Sequence, residues 1–389
     1  MGFPKGTSIP FAIFQLAAGF KLRSRIQWID RPSVLVKVLI HSRFYPNVGG
    51  IESVADLLTR EWHKAGIDIA VASDVRSLPA QARSYPFAVH YQPTPSQWLA
   101  LLHWADIFVH INVSLKALWP WLIVGRPLLA IHEGCYFTSR AKERDWKENL
   151  KLLCARRLAE NIAASRYVAS QTALNCQVIP NPYDDAIFHR GNKNDDEPKR
   201  ELVFVGRLVS DKGGDLLIHA LARLGRNGLR PRLTVVGDGP ERSTLERLVQ
   251  SLALRDQVEF VGAQPAENVA RSLRQHEILV VPSLWEEPFG VVALEGAACG
   301  CVVLGSDSGG LPEAIGPAGT TFRRGDLADL TRKLEHLLGH REEWPSYQRA
   351  AGRHLESHRP ALIAERYLEI FARVGRRRSN KRGISRTGY

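Results

Sequence analysis

Apolar and polar positions alternate in blocks along the first half of the chain, as they do in β-α-β units. A continuous apolar run over residues 34–41 predicts a buried strand, and apolar positions at helical spacing follow from Ile51 to Trp62. Gly66 ends that helix, and residues 67–72 predict the next strand. Further predicted elements are strands at 107–113 and 128–132 and a charged helix at 139–160. The pattern predicts one parallel sheet with helical crossovers.

The second half repeats this alternation after a polar, turn-rich stretch at residues 180–200, which has the composition of a linker. The predicted strands cover residues 201–205, 232–236, 258–261, 278–282 and 301–305. The predicted helices cover residues 214–224, 241–252, 267–275, 291–298 and 360–374. These elements predict a second doubly wound domain, and ligands of such domains bind at the carboxyl ends of the strands.

The α/β chain is therefore predicted to contain two Rossmann-like domains with flanking segments. The predicted order is an interfacial or disordered N-terminal extension (1–32), a first Rossmann-like domain (33–185), a linker (186–199), a second Rossmann-like domain (200–357), a C-terminal helix that packs back toward the first domain (358–375) and a basic disordered tail (376–389).

The formal net charge of +12 comes mostly from the two ends of the chain. Residues 1–31 carry +4 and residues 376–389 carry +6, which leaves +2 for residues 32–375. A nearly neutral body argues against a nucleic-acid-binding face. The basic ends are expected either to contact anionic lipid or to remain solvated.

Five cysteines without paired spacing favour a reducing compartment over a disulfide scaffold or a zinc site. We therefore expect a cytoplasmic protein. The apolar run at residues 9–20 is too short to span a bilayer, and its positive charges follow it, unlike those of a signal peptide. An interfacial anchor and an upstream extension of the true start both remain open.

Glycine-rich loops follow the predicted strands of the second half and aim backbone N–H groups at a potential phosphate. The loop after the first of these strands holds Arg207 and Lys212, five residues apart. Two such cations can hold a diphosphate, or they are ordinary surface cations. A second glycine turn, at Gly237, opens the next helix and is a weaker signal.

Two carboxylates flank the loop after the fourth strand of this half. Pro288 and Gly290 prepare a helix start, which leaves the first backbone N–H groups without helical partners. Glu287 lies just before this helix and Glu295 lies within it. The two carboxylates can therefore bind hydroxyls at opposite ends of one ligand. The available N–H groups belong to Phe289, Gly290 and Val291.

Four motifs occur in a recognisable order: Gly49-Gly50-Ile51-Glu52, Gly206 through Gly213, Val235 through Pro240, and Pro282 through Glu295. Together they resemble the retaining glycosyltransferases of family 4, over about residues 36–375. The resemblance implies a GT-B fold with two Rossmann-like doubly wound domains facing a central cleft. It also implies a hexosyltransferase that takes its sugar from a nucleotide diphosphate sugar. In that case residues 33–185 would form the acceptor-binding domain and residues 200–357 the nucleotide-sugar-binding domain.

The resemblance implies roles on the donor side. Arg207 and Lys212 would neutralise the diphosphate, Glu287 would contact the sugar hydroxyls, and Glu295 would hold the ribose. The backbone near Gly237 and Gly290 would contact the nucleotide. Gly262 and Ala263 would border the base.

On the acceptor side the resemblance implies that Gly49 and Gly50 lie against the phosphate and the acceptor. His132 matches a strand-end histidine near the reacting carbon, and a purely structural histidine is the alternative. A donor phosphate oxygen would take the acceptor proton. With the two cations in place of a metal and no Asp-x-Asp triplet in a suitable loop, we expect neither a metal nor a cofactor besides the donor.

The expected acceptor is a glycan or a lipid-linked molecule in polysaccharide or glycolipid assembly. Peripheral contact with the inner face of the plasma membrane would suit Trp119, Trp121, Arg126 and the basic residues between 138 and 157. A solvated helix explains the charges equally well.

Three alternative functions stay open. They are a GT-B sugar-nucleotide epimerase or soluble disaccharide synthase, a noncatalytic nucleotide-binding protein, and a nucleic-acid binder that uses the basic tail.

Overall fold

Seven parallel strands form the sheet of the first half, in the spatial order β3-β2-β1-β4-β5-β6-β7. The computed structural model describes residues 36–44, 49–76, 84–134, 146–172, 174–191 and 200–384, except for the side chains of 147, 148, 158, 159 and 376–384. The strands are β1 (Lys37–His41), β2 (Asp68–Ser73), β3 (Ala88–Tyr91), β4 (Ile107–Ile111), β5 (Leu128–His132), β6 (Ala159–Ala163) and β7 (Cys176–Val178).

Helices cover both faces of this sheet, so its central strands β1, β4 and β5 are mostly apolar and almost entirely buried. The helices are α1 (Gly50–Lys64), α2 (Pro95–Trp104), α3 (Leu115–Val124), α4 (Trp146–Leu158) and α5 (Arg166–Thr172). Helix α2 begins with a capping box, in which Thr94 and Gln97 satisfy each other's backbone N–H groups.

Six parallel strands form the second sheet, in the order β10-β9-β8-β11-β12-β13. The strands are β8 (Arg200–Val205), β9 (Leu233–Val236), β10 (Val258–Gly262), β11 (His276–Val281), β12 (Val302–Ser306) and β13 (Gly319–Phe322). The helices are α6 (Gly214–Arg226), α7 (Arg242–Ser251), α8 (Ala266–Arg274), α9 (Val291–Cys299), α10 (Leu311–Ile315), α11 (Leu327–Gly339), α12 (Trp344–Glu356) and α13 (Pro360–Ile384). Both sheets belong to one compact unit that spans Leu35–Tyr389.

The last helix, α13, packs against the first sheet. The ring of Trp62 on α1 lies 5.2 Å from the rings of both Tyr367 and Phe371. All three side chains are buried in the same apolar cluster as Val38 and Ile40 of β1. The chain therefore returns to its first half after completing the second.

The predicted α/β class with two Rossmann-like domains is confirmed, and the structure corrects several boundaries. Residues 159 and 160, predicted as the end of a charged helix, instead begin strand β6 (Ala159–Ala163), because Ile162 and Ala163 are core residues beside β5. Helix α13 runs to Ile384, so part of the predicted disordered tail is helical. Its arginines and lysines favour a helix and suit its carboxyl end.

Four strands, β3, β6, β7 and β13, were not predicted as strands. Strand β13 has the sequence Gly-Thr-Thr-Phe, and a single large apolar residue is not enough to predict a strand. Among the described helices, none is both long and apolar enough to cross a bilayer. The apolar run at 9–20, the residues 135–145 and most of the predicted linker lie outside the described residues, and the domain boundaries stay predictions.

Candidate functional site

An ion pair joins two loops at the carboxyl edge of the second sheet. Lys212 Nζ, from the loop after β8, donates to Glu287 Oε1, from the loop after β11. The same carboxylate oxygen accepts a hydrogen bond of 2.7 Å from Ser283 Oγ. The side chains of Lys212 and Glu287 are 25% and 12% exposed, so the pair is partly shielded yet open to a ligand. Two of the predicted site residues are therefore in direct contact.

Backbone hydrogen bonds fasten the same two loops to each other. The carbonyl oxygen of Asp211 accepts from the N–H groups of Leu284 and Trp285, at 2.8 and 3.0 Å. Gly213 permits this approach, because its φ is +68° and a Cβ there would lie 2.0 Å from the carbonyl oxygen of Pro282. A larger residue at this position would separate the loops and, with them, the ion pair.

The loop after β11 leads directly into helix α9. Gly290 precedes the helix with φ of +98°, which favours glycine, and Val291 is its first residue. The Phe289 side chain is buried and packs 5.7 Å from the His358 ring. Phe289 therefore anchors the loop through its ring, and only its backbone is suited to a ligand.

Glu295 lies in the second turn of α9. Burial and, secondarily, the charge of Asp184 raise the pKa of its carboxyl group to about 7. Asp184 belongs to the segment that connects the two halves of the chain. At neutral pH, Glu295 can therefore either donate or accept a hydrogen bond, which suits a hydroxyl partner.

The loops after β8, β9 and β10 lie side by side in strand order. The N–H of Gly206 donates to the Val236 carbonyl at 3.0 Å, and the N–H of Gly237 donates to the Gly262 carbonyl at 2.8 Å. Arg207 is exposed at this edge, and so is Ala263 beyond Gly262. The structure thus brings the predicted diphosphate and base residues to one edge of the sheet.

The predicted residues of the first half occupy the corresponding edge of the first sheet. Gly49 immediately precedes α1 and Gly50 begins it, while residues 45–48 lie outside the described part. His132 ends β5, is fully buried, and its Nε2 lies 2.9 Å from Asn161 Oδ1. Burial lowers the pKa of His132, so its ring is neutral. Its catalytic role stays a prediction.

Beside His132 lies a carboxylic acid that the motifs did not single out. Glu133 is 2% exposed, and burial raises its pKa to about 7 although Asn181 Nδ2 donates to its Oε2 at 2.6 Å. Its other oxygen, Oε1, is buried without a hydrogen-bond partner in the described structure. Asn181 belongs to the connecting segment, so Glu133 ties that segment to the end of β5.

Two buried histidines and the exposed carboxylate of Asp74 form a polar chain from β4 across β1 to the end of β2. Ser114 N–H donates to His110 Nε2 at 3.1 Å, so the His110 proton is on Nδ1, which lies 3.2 Å from His41 Nδ1. His41 then accepts at Nδ1, and its Nε2 lies 3.2 Å from Asp74 Oδ2, within ion-pair distance. Burial lowers the pKa of His110 well below its usual value, and His41 lowers that of Asp74. The chain fixes an ionised carboxylate at this edge.

The two halves meet through residues that the sequence motifs did not identify. Tyr167 OH donates to Glu286 Oε2 at 2.6 Å, and Ser165 Oγ donates to the Pro288 carbonyl at 2.6 Å. Glu313 accepts from the N–H groups of Arg166 and Tyr167 at 3.2 and 3.1 Å. Residues 165–167 follow directly after strand β6, and this position is the one sequence signal that could have identified them as site residues.

Comparison with known proteins gives a family match in the second half of the chain. Residues 185–354 match the family model described as glycosyl transferases group 1. Over 161 residues the chain is 32% identical to a phosphatidylinositol N-acetylglucosaminyltransferase subunit from Arabidopsis thaliana, and the match covers 41% of the chain and 36% of that protein. Over 181 residues it is 35% identical to D-inositol 3-phosphate glycosyltransferase of Nocardia farcinica, covering 44% and 40%. The matches thus span less than half the length of these relatives.

Among solved structures, Anabaena HepE in complex with UDP and glucose has a similar fold. The TM-score is 0.73 at 18% sequence identity, and the alignment covers 87% of this chain and 99% of HepE. The family match covers only the second half of the chain, whereas the structural similarity covers both halves. Residues 185–354 thus match the glycosyl transferases group 1 family, and the chain that carries them has the GT-B fold.

Proposed function

We propose that this protein is a retaining glycosyltransferase that moves a sugar from a nucleotide diphosphate sugar to an acceptor hydroxyl. The observation that carries the proposal is the contact between Lys212 and Glu287. In such a donor a single bond joins the sugar to the diphosphate. A protein that binds both parts therefore needs a cation and a hydroxyl-binding carboxylate next to each other, and these two residues supply them.

The chemistry requires charge stabilisation more than acid–base catalysis. When the bond to the diphosphate breaks, positive charge develops at the anomeric carbon and negative charge on the leaving group. Lys212, Arg207 and the amino end of α9 are suited to stabilise the leaving charge. We propose attack on the face that the diphosphate leaves, with a donor phosphate oxygen taking the acceptor proton.

The remaining donor contacts follow the loops of the second sheet. We assign the ribose to Glu295, since a carboxyl group with a pKa of about 7 can pair with a hydroxyl in either protonation state. The base is assigned to the edge formed by Gly262 and Ala263. Gly49 and Gly50 are assigned to the acceptor side of the donor phosphate.

Binding of the donor can be tested by thermal shift with UDP, GDP, ADP and TDP sugars. A ligand that binds only the folded protein raises its stability, by about 2.7 kcal/mol at a concentration of 100 Kd. We expect one base to stabilise the protein clearly more than the other three. If none of the four donors raises the melting temperature at millimolar concentration, the donor proposal is wrong.

Turnover of the stabilising donor then separates the open alternatives. A transferase releases nucleotide diphosphate much faster when an acceptor is added, whereas an epimerase converts the donor without one. The names of the two relatives contain phosphatidylinositol and inositol 3-phosphate. Inositol phosphates and phosphatidylinositol are therefore the first acceptors to test, ahead of other glycan or lipid-linked acceptors. A cytoplasmic protein with peripheral membrane contact would meet both kinds of substrate.

We further propose that transfer needs no metal ion, because Lys212 and Arg207 provide the positive charge that a divalent cation would otherwise supply. Within the described residues no group of three or more His, Cys, Asp or Glu side chains is placed to hold a metal. The expected result is unchanged turnover in excess EDTA. Loss of activity with EDTA and recovery with Mg²⁺ or Mn²⁺ would contradict this part of the proposal.

A further inference from the structure

Helices α3 and α4 expose large apolar side chains toward solvent. On α3, Trp119, Leu122 and Ile123 are 41%, 65% and 66% exposed, and their spacing places them on one helix face. The burial of such residues is the usual expectation for a soluble protein, and a cluster of them marks a contact surface. The corresponding residues of α4 are Trp146, Leu150 and Leu153, at 67%, 39% and 46%.

The two helices are neighbours on the same face of the first sheet. Helix α3 connects β4 to β5 and α4 leads into β6, and these three strands are adjacent and parallel. Right-handed crossovers place both helices on one side. Cys154 of α4 packs against the apolar cluster that contains Ala117 and Leu118 of α3. The six exposed side chains therefore form one surface, which we call the α3–α4 face.

The charges on the α3–α4 face have one sign. Among the described side chains of these helices, the charged ones are Lys116, Lys151, Arg156 and Arg157. Lys147 and Glu148 of α4 are an opposite-charge pair in the sequence. Tryptophan beside cations and aliphatic side chains is the composition of helices that lie in a membrane interface.

The structure also shows which of the predicted interfacial residues cannot contribute. Trp121 is buried, and its Nε1 donates to the carbonyl of Arg126. Arg126 Nε donates to the Leu102 carbonyl at 2.8 Å. Both side chains hold α3 against α2. Trp119 is the member of that predicted group that faces outward.

We propose that the α3–α4 face is a docking surface for a bilayer that contains anionic lipid. The apolar side chains enter the interface, and the cations pair with lipid phosphates. Both helices begin at the carboxyl edge of the first sheet. If the proposed function holds, a bilayer on this face lies beside the acceptor side of the site and delivers a lipid-linked acceptor.

Vesicle flotation of the full chain tests the surface without any donor. We expect wild-type protein to float with vesicles of phosphatidylcholine and phosphatidylglycerol (3:1) and to bind pure phosphatidylcholine much more weakly. The double variant Leu122→Ser/Ile123→Ser should partition at least about tenfold less, since two apolar side chains no longer leave water. Arg156→Glu/Arg157→Glu should weaken binding to anionic vesicles, as should 500 mM salt.

A matched control replaces two exposed leucines elsewhere, Leu229→Ser/Leu362→Ser, and should float like the wild type. Undiminished flotation of the Leu122/Ile123 variant would overturn the proposal and move the contact to the basic ends. Failure of the wild type to float, together with a loss of self-association in the variant by analytical ultracentrifugation, would identify a protein interface instead. Nucleotide-induced stabilisation of the same variants reports on the donor site separately.

Discussion

Replacement of Lys212 by alanine is expected to lower kcat by about a hundredfold or more. One preorganised donor of positive charge at a departing oxyanion contributes roughly that factor, and Lys212 is held at the junction of two loops. Arg207→Ala should have a similar effect for the same reason. Both are measured as initial rates of nucleotide diphosphate release with saturating donor and acceptor.

Two controls separate this effect from a folding defect. Arg226→Ala removes an exposed cation from the last turn of α6 and should leave kcat within about twofold, because a surface charge away from the site contributes little. Lys212→Arg keeps the charge and should recover part of the lost rate. If Lys212→Ala changes kcat by less than about threefold while the protein stays folded, the diphosphate does not bind at this loop.

Glu133→Gln is expected to stabilise the protein at pH 8 and to have little effect at pH 4. Burial raises the pKa of Glu133 to about 7, from a usual value of 4.5. Below pH 4.5 the carboxyl is protonated in both the folded and unfolded states. As the pH rises to 7 the unfolded state loses its proton first, so the free energy of unfolding falls.

The size of this loss follows from the difference in pKa. A shift from 4.5 to about 7 corresponds to about 3 kcal/mol, so glutamine should recover about 1–3 kcal/mol at pH 8. Glutamine can still accept the hydrogen bond of Asn181. Urea unfolding of both proteins at pH 4 and pH 8 provides the comparison. Glu369→Gln, at an exposed position of α13, is the control.

A lower stability of Glu133→Gln at pH 8 would mean that the ionised carboxylate stabilises the fold, contrary to the effect expected of its buried environment. Equal effects at both pH values would mean that its pKa is unperturbed by folding. Because Asn181 lies in the segment between the two halves, the same variant also reports whether this tether affects turnover.

Local patterns in the sequence were sufficient to predict the two loops that we propose to bind the donor. The segment Gly206–Gly213 places glycine and charge after a strand, the segment from Pro282 to Glu295 adds proline, and the structure has both loops between a strand and a helix. Lys212 and Glu287 were predicted to bind the same ligand, whereas the structure shows that they also form an ion pair with each other. Its partners are 75 positions apart, and their distance depends on the pairing of β8 with β11.

Features that depend on tertiary context could not be predicted in this way. Helix α3 contains Pro120, which normally argues against a helix interior, yet Pro120 is buried and the helix continues to Val124. The pairing of Tyr167 with Glu286 joins residues from two halves that no local signal connects. The burial of Glu133 could not be predicted either, because an isolated glutamate in a sequence predicts an exposed side chain.

The return of α13 to the first sheet has a consequence for the order in which the protein folds during synthesis. The apolar face of α1 around Trp62 needs Tyr367 and Phe371, which are synthesised after all strands of the second sheet. Domains of a nascent chain generally fold in order from the N-terminus. In this protein the first half cannot bury the face of α1 around Trp62 while the second half is still being synthesised. The apolar face of α1 therefore stays exposed on the nascent chain until α13 emerges.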